Sequence, residues 1–220
     1  MKEPYIELYK KLGNFKVYVV DGDYIRTNRD IEFTNFGQHY RYRYIPTNEL
    51  WLDSTNPQGE DEYKYFVQHM IIEHSLMSKG NSYGKATGIA DKVEREIRQG
   101  DLEDRPIKKK FIGKIGKQKV WLVDGEQVRD KKDVQFTEGG HDLVYTYIPK
   151  HEIWVDNSLP VNERDEIVLH EAYERNKMSK GEGYEQAHRE ANKVEKKARK
   201  SKIWKKIFPP LNLPGIKKSK

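Results

Sequence analysis

His170, Glu171 and Glu174 stand close together in the later part of the chain, and His188 and Glu195 follow them. On a helix, the i, i+4 spacing of His170 and Glu174 sets both side chains on one face, a single turn apart. His188 and Glu195 belong to a stripe made of Tyr184, Ala187, His188, Ala191, Val194, Glu195 and Ala198, which predicts a second helix with both residues on its inward face. A short connection makes two such helices antiparallel neighbours and brings His170, Glu174 and His188 within reach of one ion. Two imidazoles and a carboxylate are the ligand mix of hydrolytic zinc sites, with a fourth position for water. Glu171 is then the candidate general base, and Glu195 either a further ligand or the carboxylate that orients an imidazole. The pattern His-Glu-x-x-Glu departs from the common helical zinc motif, which ends in histidine. A second arrangement satisfies the same residues without metal: a buried polar layer in which His170 and His188 bond to Glu174 and Glu195 and hold the helices in register.

The elements that must position these residues occur twice. Val17, Val20, Asp21, Gly22, Arg26, Asp30, Phe33, Thr34, Gly37, Tyr42, Tyr44, Ile45, Pro46, Glu49, Trp51 and Asp53 recur 103 positions later, from Val120 to Asp156. The offset then becomes 101, and His69, Glu73, Met77, Gly80, Tyr83, Ala86, Ala90 and Glu94 match His170, Glu174, Met178, Gly181, Tyr184, Ala187, Ala191 and Glu195. The length change falls before a helix, in a loop that tolerates it. His69, Glu73 and Glu94 are therefore a degenerate counterpart of the candidate site, with Met70 in place of Glu171 and Thr87 in place of His188.

Each copy reads as strands followed by helices, which predicts an α+β fold: two homologous domains, each a small antiparallel sheet followed by a helix-turn-helix pair, plus a basic C-terminal tail. Residues 1–100 form the first repeat, 101–118 a linker and leading strand, 119–198 the second repeat and 199–220 the tail. Lys16 to Val20 and Lys119 to Val123 read as short strands ending in an Asp-Gly turn. The aromatic alternation of Tyr40 to Ile45 and Leu143 to Ile148 predicts half-buried strands, and Glu49 to Asp53 a further one. Helices follow over Glu62 to Met77 and Glu163 to Met178, closed by Ser-Lys-Gly with a left-handed glycine, and again from Tyr83 and Tyr184. His141 and Asp156 read as turn and cap residues with a possible reach into the cleft, Trp51 and Trp154 as packing residues, and Arg26 and Arg129 as surface partners of Asp30 and Asp133 or as anion ligands.

The run Tyr147-Ile148-Pro149 with Glu152-Ile153-Trp154-Val155-Asp156, continued by His170-Glu171, Glu174-Arg175, Met178, Gly181, Tyr184, Ala187-His188 and Ala191, resembles small uncharacterised proteins of tailed bacteriophages. The resemblance covers the second copy almost fully and the first in degraded form. It implies a viral or prophage origin and a zincin-like helix pair, and it implies no particular substrate.

Net charge is +6, yet everything after Glu195 holds ten Lys or Arg and no Asp or Glu, so the rest of the chain carries −4. With 35% hydrophobic residues and a mean hydropathy of −0.97, each half can bury only a modest core. The absence of cysteine excludes disulfides and thiolate chemistry. Neither a signal-peptide run nor a transmembrane segment is read, which predicts a cytoplasmic protein of the host cell or a virion-associated one. In the tail, Lys202, Trp204, Lys205, Lys206 and Phe208 mix cations with aromatic rings, a composition suited to a protein partner (virion or host) or to nucleic acid phosphates. The functional expectation is a tandem protein with a metal-dependent hydrolase site, zinc its cofactor, in the second repeat. The alternatives are a non-catalytic virion or interaction protein and, through the tail, a nucleic-acid binder.

Overall fold

The computed structural model describes residues 3–55, 59–101, 106–107 and 109–201. The basic tail, with Lys202, Trp204, Lys205, Lys206 and Phe208, lies outside the described residues. The chain is α+β, and the order of elements repeats. Strands β1 (Tyr5–Leu12) and β2 (Phe15–Val20), helix α1 (Gly22–Asn28), strands β3 (Phe36–Gln38) and β4 (Glu49–Asp53), and helices α2 (Gly59–Ser78) and α3 (Tyr83–Asp101) make the first repeat. Strands β5 (Lys109–Ile115) and β6 (Gln118–Val123), helix α4 (Gly125–Lys131), strands β7 (Gly139–His141) and β8 (Glu152–Asp156), and helices α5 (Val161–Met178) and α6 (Tyr184–Lys200) make the second.

Each sheet has four strands, in the orders β1-β2-β4-β3 and β5-β6-β8-β7. The outer pairings are antiparallel as expected, while the central pairs β2·β4 and β6·β8 are parallel, so each sheet is mixed and not the antiparallel sheet read from the sequence. A parallel pair needs a long crossover, and the stretch from α1 to β3 supplies it. Both faces of the first sheet are covered. Val17, Val19, Leu50 and Leu52 pack on Tyr63, Phe66, Val67 and Met70 of α2, and Val20 and Trp51 pack on Ile25, Phe33, Tyr42 and Ile45 opposite. Side chains on neighbouring strand residues point to opposite faces, so the middle of β4, Leu50-Trp51-Leu52 between Glu49 and Asp53, is apolar on both. In the second repeat Val120, Leu122, Ile153 and Val155 pack in the same way on Ile167 and Val168 of α5.

Three local readings change. The Asp-Gly pairs do not close hairpins: the Asp21 carboxylate accepts from the Tyr24 amide at 2.9 Å and starts α1, as an N-cap does. The Asp53 carboxylate occupies the place where a Cβ of Gly22 would stand, and that of Asp156 does the same at Gly125, so both positions exclude a side chain. The runs from Tyr40 and Leu143 are turns rather than strands, fixed by bonds such as Tyr42 N to Gln38 O and Tyr145 N to His141 O. Their alternating rings reach the core from a coiled path; the strands lie just upstream, in β3 and β7. Finally, Arg26 is buried, not on the surface, and donates to Asp53 and to the Phe33 carbonyl. Arg129 is equally buried and donates to Glu62 at 2.6 Å.

Two compact units result. The first comprises the chain through Pro106 together with Glu126–Thr137, and the second comprises Ile107–Gly125 and the chain from Glu138 onward. The segment with α4 thus belongs to the first unit, where Arg129 and Arg98 share the Glu62 carboxylate and Asp130 accepts from Arg98 at 3.0 Å. Two guanidiniums override the burial of Glu62 and hold its carboxyl below the usual range.

Candidate metal centre

Helix α5 carries Ile167 and Val168 on the sheet, and this packing turns His170, Glu171 and Glu174 toward α6 and β7. Small residues Ala187, Ala191 and Ala198 on the buried stripe of α6 allow the close approach. His170 Nε2 lies 3.2 Å from His188 Nδ1, His188 Nδ1 lies 2.6 Å from Glu174 Oε2, and His170 Nε2 lies 3.5 Å from that same oxygen. A tetrahedral zinc with bonds of about 2.0–2.1 Å sets its ligand atoms roughly 3.3–3.4 Å apart. Two sides of the triangle lie within about 0.2 Å of that length, and the third is a hydrogen bond that an ion would open by about 0.7 Å.

The groups behind these three atoms fix their orientation. His170 Nδ1 is 2.9 Å from Glu195 Oε2, a bond that turns Nε2 toward the triangle, where a bound ion would replace its proton. Glu195 therefore sits behind His170 as its orienting carboxylate, not among the converging ligand atoms. Arg199 donates to Glu195 at 2.8 Å and to Glu163 at 3.0 and 3.1 Å. Glu174 Oε1 accepts from His141 Nε2 at 3.0 Å, while the Leu143 amide donates to His141 Nδ1. His141 thus bridges the Leu143 amide and Glu174 and aims the carboxylate, beyond the turn role read from sequence. The sequence signal was Gly139-Gly140: at Gly139 the methyl of Ile167 fills the place of a Cβ, and at Gly140 the ring of Tyr145 does so, which lets β7 approach α5. Asp156 keeps its turn role, accepting from the Ser158 amide at 2.9 Å, and Trp51 and Trp154 are buried packing residues.

Electrostatics follow from this wiring. Burial works against an imidazolium at His170, but hydrogen bonds with Glu174 and Glu195 prevail and push it up to about 10. Burial would raise Glu174, yet His141, His170 and His188 override it and hold the carboxylate well below its usual range. Glu195 is likewise lowered, by His170 and Arg199 against burial. Glu171 goes the other way: burial raises its pKa, the tuning expected of a proton-transferring carboxyl. A ligand atom of Glu171 lies within 4.8 Å of His141 and Glu174. His188, its side chain 30% exposed, stacks on Tyr184 with ring centres 5.4 Å apart, so the triangle has a route to solvent on that side.

The first repeat holds the same scaffold with the chemistry removed. His69 Nδ1 contacts Glu94 at 2.9 Å, Glu94 accepts from Arg98 at 2.8 Å, and Arg98 donates to Glu62 at 2.7 Å. Around Glu73, however, two of the imidazoles are gone: Gln38 Nε2 at 2.6 Å replaces His141, and the Thr87 hydroxyl at 2.7 Å replaces His188. Gln38 also accepts from the Tyr40 amide, as His141 does from Leu143. Met70, in the place of Glu171, is fully buried. Among the described residues, the groups whose ligand atoms converge within 4.8 Å are His170, Glu174 and His188, and His141, Glu171 and Glu174.

His69 gives a prediction for the first unit. Burial lowers its pKa, but bonds to Glu73 and Glu94 prevail and raise it to about 9. A folded pKa above the unfolded value of about 6.5 contributes stability that is complete below about pH 6.5 and is lost as pH rises through 9. Urea midpoints measured at pH 6 and pH 9.5 should fall, and the fall should be shallower in His69→Asn; equal slopes would remove His69 from the account.

No helix among the described residues is long and apolar enough to cross a membrane. Comparison of the chain with protein-family models, with curated proteins and with solved structures returned no match.

Proposed function

We propose that the second repeat binds a divalent metal ion, zinc by its ligand types, and that the protein is a metal-dependent hydrolase with a non-catalytic first repeat. The observation that carries this reading is the convergence of His170 Nε2, His188 Nδ1 and Glu174 Oε2 within 3.5 Å. Each ligand is braced from behind, except the solvent-facing His188. Carboxylate-backed histidines of this kind raise ligand basicity and fix ring orientation. Three protein ligands leave one coordination position of a tetrahedral ion open, and the ion would supply Lewis acidity there. Glu171, its pKa raised by burial, holds or releases a proton beside that position, and His141 keeps Glu174 aimed. The loss in the first repeat of the counterparts of His188, His141 and Glu171, with the bracing groups retained, supports the division of labour. The likeness of the second copy to tailed-phage proteins accords with a zincin-like helix pair.

Glu171→Gln separates catalysis from metal binding. Zinc content should stay at the wild-type level while zinc-dependent cleavage of labelled casein falls by about 10²–10⁴, the contribution of a positioned acid or base. Undiminished cleavage would take Glu171 out of the mechanism, and no cleavage by either protein would leave the hydrolase reading without support.

A further inference from the structure

The turn after β3 keeps its backbone in both repeats but differs in the side chains it presents. Tyr42 and Tyr44 recur as Tyr145 and Tyr147 and are core or half-buried in both. Around them Arg41 and Arg43 are exposed and Tyr40 is half-buried, and these three stand where the second repeat has Leu143, Val144 and Thr146. The first repeat has thus exchanged three small or aliphatic side chains for one ring and two guanidiniums on the same backbone. These groups are interleaved: Arg43 lies over the Tyr40 ring at 5.3 Å, and Arg41 lies over Tyr83 at 4.9 Å. Tyr40 also packs edge-on against His74 at 4.8 Å, and His74 against Phe15 at 4.9 Å.

Tyr83 is 42% exposed and opens α3, whose first turn carries no acidic residue. The Glu32 carboxylate that pairs with Arg41 at 3.0 Å is itself exposed, and an exposed pair is readily exchanged for a phosphate. Cations alternating with partly exposed rings suit a ligand with charged groups and flat faces in alternation, which is the chemistry of a single-stranded nucleic acid. A duplex hides its bases from such rings, and a plain anionic surface makes no use of them.

We propose that this arginine and tyrosine face of the first repeat binds single-stranded nucleic acid, with Arg41 and Arg43 on phosphates and Tyr40 and Tyr83 stacked on bases. The first repeat, which lacks the third metal ligand, is then a binding module. The proposal is independent of the metal centre.

The test uses the full chain, its basic tail unchanged, and fluorescence anisotropy with a labelled 20-nucleotide oligo-dT as probe. The triple variant Tyr40→Leu, Arg41→Val, Arg43→Thr installs residues that the same turn carries in the second repeat. It should bind at least about tenfold more weakly and show a slope of log Kd against log salt smaller by about 1.4, two phosphate contacts at about 0.7 each. Tyr40→Leu alone should weaken binding without changing the slope. Wild-type affinity and slope in the triple variant would place binding elsewhere, on the tail, and overturn the proposal. So would absence of binding by the wild type, or a duplex of equal length binding as tightly as the single strand.

Discussion

His188→Ala is expected to abolish stoichiometric zinc binding while leaving the metal-free protein folded. His188 is the partly exposed corner of the triangle, and with it gone Glu174 still accepts from His141 and stands near His170. Two remaining ligands do not hold the ion, so the affinity loss should exceed the 10–100-fold typical of removing an orienting partner. The decisive readout pairs two melting curves. In wild type, added zinc should raise Tm, because a ligand that binds only the folded state stabilises it by mass action. In His188→Ala that rise should vanish, while the metal-free Tm stays within a few degrees of wild type. If the histidines and acids served only as a polar layer, the result would reverse: no zinc effect in wild type and a lower metal-free Tm in the variant, through a buried acceptor left short of a donor.

The second large effect is a gain. Thr87→His is expected to raise zinc content from one to two per chain. His69 and Glu73 already stand at the corners matching His170 and Glu174, 3.6 Å apart between Nε2 and Oε2. Glu94 backs the His69 ring, and Gln38 aims Glu73 as His141 aims its counterpart. Only the third corner is missing, and Thr87 fills it with a hydroxyl bonded to Glu73. The restored site should bind metal without hydrolysis, because Met70 offers no proton acceptor. Elemental analysis checks the count, with Thr87→Asn as the control that should remain at one. A count of one in Thr87→His would mean that the triangle of atoms is not sufficient for metal binding, and would weaken the reading of the second repeat with it.

Much of this arrangement was legible in the sequence because helices write their faces at fixed spacing. The i, i+4 relation of His170 and Glu174 and the stripe through His188 and Glu195 placed two helices against each other. The left-handed glycines ending the first helices, Gly80 and Gly181, have φ of 87° and 94°. What spacing along a helix cannot reveal is a residue brought from a distant strand. His141 comes to Glu174 from β7, and only the pair of glycines before it signalled a close approach. The side of the ring that Glu195 takes was also beyond periodicity, which gives a face but not the nitrogen contacted. Arg26 and Arg129 misled for the opposite reason: acids near them in sequence suggested surface pairs, whereas both guanidiniums are buried and reach Asp53 and Glu62, remote in the chain. The turns at Tyr40 and Leu143 mimicked strands because alternate rings on an irregular path can reach a core as well as a pleated strand does.

Whether the later helix pair holds an ion is decided by the zinc content of the full chain, purified without a histidine tag. Close to one zinc per chain is expected, with X-ray absorption showing two imidazole nitrogens and oxygen in the first coordination sphere. A chain that retains no zinc, takes up none from a buffered excess and melts at the same temperature with and without it would contradict a metal centre there.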